Sequence, residues 1–391
     1  MRVNHKAALC FEMQAQKCYR TLIMPKSRAQ DHILHVLVAI PHGPAGQGGI
    51  GRIMTSLLQE LERQDRTDLD VQFVVTRGPG HVAWSLLDTL RFCVGMVSAR
   101  LRSKLDVVHL NVAADGSTYR KMIIAACARL LGTPYVVHLH GSRYQTFWKD
   151  GQRGMGALIR RFFEAASRVI VLGHFWQEFV AGKAPRSAEN IVIVPNATEV
   201  PSLPINRGEG VHVLFLGRLG ERKGVPQLID ALTRMSHIPE WRATIAGDGE
   251  VEAARMQARG EGLADRVALP GWVGPDHVAA LIASADILVL PSFAENLPIS
   301  VIEGMAAGLA VVATPVGAVE DIILHERTGL LVAPGDVEAL TAALTRLVED
   351  RSLRQRLGAA AMALHRDRLE LGAFARTIVN VWTAAANRRH R

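Results

Sequence analysis

The residues best suited to chemistry fall in one stretch, Pro291-Ser292-Phe293-Ala294-Glu295-Asn296-Leu297-Pro298-Ile299-Ser300-Val301-Ile302-Glu303-Gly304-Met305-Ala306-Ala307-Gly308, where seven residues separate two glutamates. Pro298 suits a first helical position, Ile299, Ile302 and Ala306 recur on one face, and Gly308 marks an end. Glu303 is therefore expected inside a small apolar helix, where an ionised carboxylate is costly unless strong donors meet it. Paired hydroxyls, such as those of a ribose, would supply them. Glu295 precedes the helix, near its free amides and in reach of a cleft ligand. The plainer reading is one capping and one surface glutamate.

A second constellation is Gly217-Arg218-Leu219-Gly220-Glu221-Arg222-Lys223-Gly224, a basic loop flanked by glycines between a strand and a helix. Arg218 offers a fork and Lys223 a point charge, a pair suited to a diphosphate, although solvated surface charge is the alternative. His138 and His140 alternate along a strand and share a face, with His140 at its carboxyl tip before Gly141. His138 reads as a satisfied core histidine and His140 as a site residue. No third and fourth ligand near them suggests a metal.

Near the start, Gly43 to Arg52 opens a helix whose amides favour an anion, and Gly46, Gly48 and Gly51 literally spell GxGxxG. A dinucleotide site also needs an acid ending the second strand, yet that strand ends Val75-Thr76-Arg77. Asp68-Leu69-Asp70 spells a DxD metal motif but sits where a turn before a strand needs polar residues.

These residues need elements to hold them, and β-branched runs alternating with helical patterns predict βαβ units around parallel sheets. Strands are expected at Ile33–Ile40, Val71–Thr76, Val107–Val112, Tyr135–His140, Val169–Leu172 and Ile191–Val194. After a turn-rich linker a second series follows at Val213–Leu216, Ala243–Ala246, Val267–Leu269, Ile287–Leu290, Val311–Ala313 and Leu330–Val332. The division reads as an N-terminal extension (1–31), a first Rossmann-like domain (32–196), a linker (197–210), a second Rossmann-like domain (211–370), and a C-terminal helix packing back on the first domain with a basic tail (371–391). Met24 lies just ahead of the first strand, so 1–23 read either as an upstream-start extension or as part of the natural protein. Ligands of such open sheets bind at the carboxyl ends of the strands, which places the function between the domains.

With 391 residues, 49% apolar and 21% charged, the chain is long enough for two folded domains. Neither a membrane span nor a secretory signal is legible, and Cys10, Cys18, Cys93 and Cys127 lack metal-ligand spacing, so a cytoplasmic location with reduced thiols is expected. Residues 1–196 hold 25 basic and 14 acidic side chains, a net +11, against −3 for the remainder. The imbalance points to an anionic partner. Without interleaved aromatics or a recognition motif, nucleic acid is not the expected one.

Taken in order, Gly48-Gly49-x-Gly51-Arg52, His140-Gly141, Gly217-Arg218 with Lys223-Gly224, Gly247-Asp248-Gly249, and the Glu295/Glu303 pair resemble the family 4 retaining glycosyltransferases over roughly residues 33–385. The resemblance implies an α/β, GT-B architecture of two doubly wound Rossmann-like domains facing a central cleft, and a hexosyltransferase that needs neither metal nor other cofactor. It implies a UDP- or GDP-linked sugar donor, with the diphosphate on Arg218 and Lys223 and the ribose on Glu303. The sugar hydroxyls would lie on Glu295 and the backbone amides of Asn296 and Leu297. His140 would sit by the anomeric carbon, Gly217 and Gly247 would line the donor side, and the glycine loop with Gly49 and Gly51 would approach phosphate and acceptor.

On the acceptor side, Arg52 and the aromatic and cationic loop Tyr144, Phe147, Trp148 and Lys149 are the candidates. The helix around Trp84 to Leu105, ending Arg100, Arg102 and Lys104, reads either as a core helix or as a contact with an anionic leaflet. The expected acceptor is a polyprenyl-diphosphate-linked oligosaccharide of surface polysaccharide synthesis, and the expected location of the enzyme is cytoplasmic or peripheral on the inner face of the cytoplasmic membrane. A soluble small-molecule acceptor, a GT-B relative of other chemistry and a non-catalytic nucleotide-sugar-binding subunit are the alternatives.

Overall fold

The computed structural model describes residues 33–41, 49–77, 84–149, 154–203 and 207–387. The glycines before Gly49, the extension up to 31 and the basic tail lie outside them. Two six-stranded parallel sheets carry the fold. In the first, β1 (Leu34–Ile40), β2 (Leu69–Val75), β3 (Val107–Val112), β4 (Tyr135–Leu139), β5 (Arg168–Val171) and β6 (Ile191–Ile193) lie in the order β2-β1-β3-β4-β5-β6. In the second, β7 (Val211–Leu216), β8 (Trp241–Ala246), β9 (Val267–Gly271), β10 (Ile287–Leu290), β11 (Ala310–Ala313) and β12 (Leu330–Leu331) lie in the order β12-β11-β10-β7-β8-β9.

Every residue of β3 and of β7 is buried. That is why both are mostly apolar, with only His109 and Asn111 in β3 and His212 in β7 interrupting the runs: helices cover both faces of a parallel sheet. In the first half these helices are α1 (Gly49–Arg63), α2 (Trp84–Leu101), α3 (Gly116–Leu130), α4 (Met155–Glu164) and α5 (His174–Lys183). The second half adds α6 (Val225–Arg234), α7 (Val251–Gly260), α8 (Pro275–Ser284), α9 (Ile299–Ala306), α10 (Val337–Glu349) and α11 (Arg351–Arg368), and α12 (Leu371–Asn387) closes the series.

α1 buries Ile53, Met54, Leu57 and Leu61, a helical stripe laid on the first sheet. Each such side chain contributes about 1.5–3 kcal/mol on burial. α12 returns to the same core, placing Phe374, Ile378 and Trp382 among Val36, Val38 and Val136. Among the described residues no helix is long and apolar enough to cross a membrane.

Strand order reverses between β1 and β3 in one sheet and between β7 and β10 in the other. The crevices outside the carboxyl ends at these switch points are where ligands of doubly wound sheets bind. The segments leading out of these four strands carry most of the residues discussed next.

Candidate active site

Glu303 lies in α9, preceded by Pro298 in extended conformation, so the helix starts one residue later than the proline suggests. Its Oε1 pairs with Arg52, which α1 presents from the other sheet. Its Oε2 is buried and has no hydrogen-bond partner. Burial raises the Glu303 pKa above the ordinary carboxylate value, with Arg52 acting in the opposite direction. Beside it lies an interdomain cavity of about 250 Å³, lined by Arg52, Ser56, Gln59, Val200, Pro275 and Glu303 among others. Arg52, expected on the acceptor side, thus pairs with Glu303.

The loops after β7 and β10 are tied together. Arg222 donates to the Ala294 carbonyl at 2.8 Å, and the Phe293 amide to the Arg222 carbonyl at 2.9 Å. This brings Lys223 Nζ within 2.5 Å of Glu295 Oε1, with both side chains largely buried. Arg218 is exposed and donates to Asp248 Oδ2 at 3.0 Å. Gly247 has a φ of +152°, and a Cβ there would collide with the Gly217 carbonyl, so the β7 and β8 ends approach through paired glycines.

Two side chains cross between the domains at this point. Asn296 Nδ2 donates to the Leu139 carbonyl at 3.1 Å, and Asn196 Nδ2 to the Leu297 carbonyl at 2.8 Å. Neither the Asn296 nor the Leu297 backbone N–H donates to a described residue. Asn196 carried no sequence signal as a site residue, because a neutral amide has no characteristic spacing.

At the tip of β4, a Cβ on Gly141 would stand 2.9 Å from the Ala114 nitrogen, so glycine permits the close approach of the segment after β3. His140 Nε2 meets Asn111 Oδ1 at 2.8 Å, and Asn111 Nδ2 donates to the Ala39 carbonyl at 3.2 Å. That bond fixes the amide, so His140 donates through Nε2 and keeps a lone pair on Nδ1. Behind it, the Trp382 indole donates to His109 Nδ1 at 2.8 Å, leaving His109 Nε2–H to face His138 Nδ1 at 3.3 Å. His138 Nε2 has no partner, so this core histidine is half satisfied and not fully so. Its ring lies 3.9 Å from that of His140. Burial, then the His109 ring, lowers the His140 pKa to about 3, and burial chiefly lowers that of His109 to about 4.

The loop expected to receive an acceptor behaves differently. Tyr144 and Trp148 are buried, not facing the cleft: the Tyr144 hydroxyl shares a hydrogen bond with Thr118 Oγ1, and Trp148 stacks on Phe163 and donates to the Gly156 carbonyl at 3.2 Å. Their apolar rings fill the core instead. Lys149 is exposed. Gly49, at the start of α1, comes close to Ile299, and Gly51 is buried in the same helix.

Comparison with known proteins bears on the family and the fold. Residues 27–197 match the glycosyl transferase 4-like domain and residues 210–350 the glycosyl transferases group 1 model. The chain is 30% identical over 336 residues to a 2-deoxystreptamine N-acetyl-D-glucosaminyltransferase of Streptomyces fradiae, covering 77% of this chain and 78% of that protein. It is 34% identical over 218 residues to a phosphatidyl-myo-inositol mannosyltransferase of Mycobacterium leprae, covering 55% and 58%. Its fold superposes on Anabaena HepE solved with UDP and glucose, with a TM-score of 0.70 at 18% identity over 90% and 99% of the two chains. The chain is therefore a glycosyltransferase of GT-B fold and belongs to the glycosyl transferases group 1, family 4.

Proposed function

We propose that this glycosyltransferase moves a hexose from a UDP- or GDP-linked donor to an acceptor hydroxyl with retention of anomeric configuration and without a metal. The observation that carries this reading is the buried Glu303 carboxylate, whose Oε2 has no partner and which borders the interdomain cavity. Two ribose hydroxyls supply the missing donors. The diphosphate then lies over Lys223 and Arg218, and the sugar hydroxyls face Glu295 and the amides of Asn296 and Leu297.

In the proposed reaction the bond from the anomeric carbon to the diphosphate oxygen breaks, the acceptor oxygen bonds to that carbon on the same face, and the acceptor proton passes to the leaving diphosphate. His140 is a poor alternative base, because a pKa of about 3 leaves its Nδ1 with little affinity for a proton. It serves instead as a hydrogen-bond acceptor for the donor sugar. Arg218 and Lys223 stabilise the departing charge, work suited to preorganised cations.

The acceptor is proposed to be carried by a lipid at an anionic membrane face on the cytoplasmic side, as in a polyprenyl-diphosphate-linked oligosaccharide of surface polysaccharide synthesis. Supporting this, α2 leaves Trp84, Leu90, Val94 and Leu101 exposed beside Arg91 and Arg100. The test offers labelled UDP- and GDP-sugars with EDTA present and determines the product's anomeric configuration by NMR. Transfer that stops in EDTA removes the metal-free mechanism, and an inverted product removes retention.

A further inference from the structure

Away from the donor residues, the first sheet holds three cations at its β2 edge. Thr76 and Arg77 follow β2, and Arg120 and Lys121 lie on α3. Lys121 is fully buried, and its Nζ donates to Thr76 Oγ1 at 2.5 Å, while that hydroxyl donates to the Ile40 carbonyl at 2.9 Å. Arg120 is 8% exposed. Its terminal nitrogen reaches Ser85 Oγ at 3.5 Å, and its buried Nε has no partner. Arg77 is exposed and close enough that its charge, after burial, lowers the Arg120 pKa. Burial, then Arg120, lowers that of Lys121 to about 7.

Among the described residues no carboxylate lies within ion-pair distance of these three. The acids nearest in sequence are engaged elsewhere, Asp70 with His35, Asp88 with Arg91 and Asp115 with Arg143. Buried cations with no counter-charge are costly, and a protein that keeps them gains when an anion arrives. The unused Arg120 Nε–H and the Lys121 ammonium provide the donors for one.

We propose that Arg77, Arg120 and Lys121 form a binding site for a phosphoryl group carried by the acceptor. The proposal rests on the transferase reading above and names the acceptor's class: a phosphate ester, not a neutral or cationic molecule. The site lies at the carboxyl ends of the strands, on the cleft side. Two strands, β1 and β3, take part in separating β2 from β4, so it stands about 14 Å from the tip carrying His140, at about 4.8 Å per strand. That distance leaves room for sugar units between the held phosphate and the reacting hydroxyl. Ser85, in the first turn of α2, places the exposed apolar face of that helix next to the site.

The test uses the full chain in phosphate-free buffer with UDP saturating the donor site, and titrates inorganic phosphate by calorimetry and thermal melting. Wild type is expected to bind one further phosphate and to melt higher. Lys121→Met and Arg120→Gln are each expected to weaken phosphate at least tenfold with UDP affinity unchanged. Arg77→Gln, on an exposed side chain that leaves the core intact, is expected to weaken it several-fold and keeps the test decisive if a buried variant does not fold. Displacement by phosphatidylglycerol vesicles supports a lipid-borne phosphate, and displacement by glucose 6-phosphate a soluble one. Phosphate binding that is missing from wild type, or unchanged in all three variants, overturns the proposal. Loss of UDP binding by wild type would instead strike the donor reading.

Discussion

Replacing Glu303 with glutamine separates what its carboxylate costs the fold from what it gives the ligand. The folded pKa is raised above the ordinary 4.5, so the folded chain holds this proton more readily than the unfolded one. Stability from this group is therefore greatest at low pH and declines as pH rises from 4.5 through the raised value. Glutamine removes that decline. The variant is expected to melt no lower than wild type at neutral pH and to lose this part of its pH dependence. Its ligand affinity moves the other way. A carboxylate accepting two ribose hydroxyls makes two charge-assisted bonds of about 1.5–3 kcal/mol each, and a neutral amide keeps roughly half of that. The loss of about 1.5–3 kcal/mol corresponds to a ten- to roughly 150-fold weaker UDP Kd by calorimetry. An unchanged UDP Kd, or a melting temperature that falls together with affinity, refutes the reasoning.

Asn111→Asp places a carboxylate on His140 Nε2, raising that imidazole from about 3 toward the ordinary 6.5. Activity of the variant is expected to fall as pH drops through the new value, and a kcat/KM profile identical to wild type would return Asn111 to a packing role. Gly247→Ala forces a side chain onto the Gly217 carbonyl at a positive φ, with an expected loss of roughly 1–3 kcal/mol in denaturant unfolding and slower transfer through the displaced Arg218. Val94→Glu on the exposed face of α2 is expected to reduce co-sedimentation with phosphatidylglycerol vesicles several-fold while leaving UDP binding unchanged, and equal sedimentation would remove that helix from the membrane reading.

The strands were legible because both faces of each central strand are buried, so runs rich in apolar, β-branched residues mark them; β3 and β10 begin and end where the pattern does. Edges slip more, as at β2 and β9, where exposure dilutes the run. The charged residues of the proposed site stood out for a related reason: a glutamate in an apolar helix or two cations in a glycine loop conflict with their surroundings. Asn196 and Trp382 gave no such conflict, and their partners lie 101 and 273 residues away. Asn111 had a faint signal, since His109 and Asn111 alternate on β3 as do His138 on the neighbouring β4 and His140 just past its end. The mistake over Tyr144 and Trp148 has the same root: aromatics after a strand look available, and only the packing of α3 and α4 shows that the core has taken them.

The pairing of charges constrains the order of binding under the proposed reading. Each acid at the donor site is held by a cation: Glu303 by Arg52, Glu295 by Lys223 and Asp248 by Arg218. The exposed Arg218 pair is worth about 0–1 kcal/mol and yields readily to a diphosphate. The Lys223 pair is mostly buried, and stripping either partner without replacement costs about 3–5 kcal/mol. A sugar alone offers Glu295 hydroxyls but gives Lys223 nothing, whereas a diphosphate gives Lys223 a new anion and frees the carboxylate for those hydroxyls. The sugar site is thus completed by the nucleotide's own phosphates. Free glucose is expected not to bind unless UDP is present, and calorimetry showing glucose bound to the ligand-free enzyme would refute this exchange.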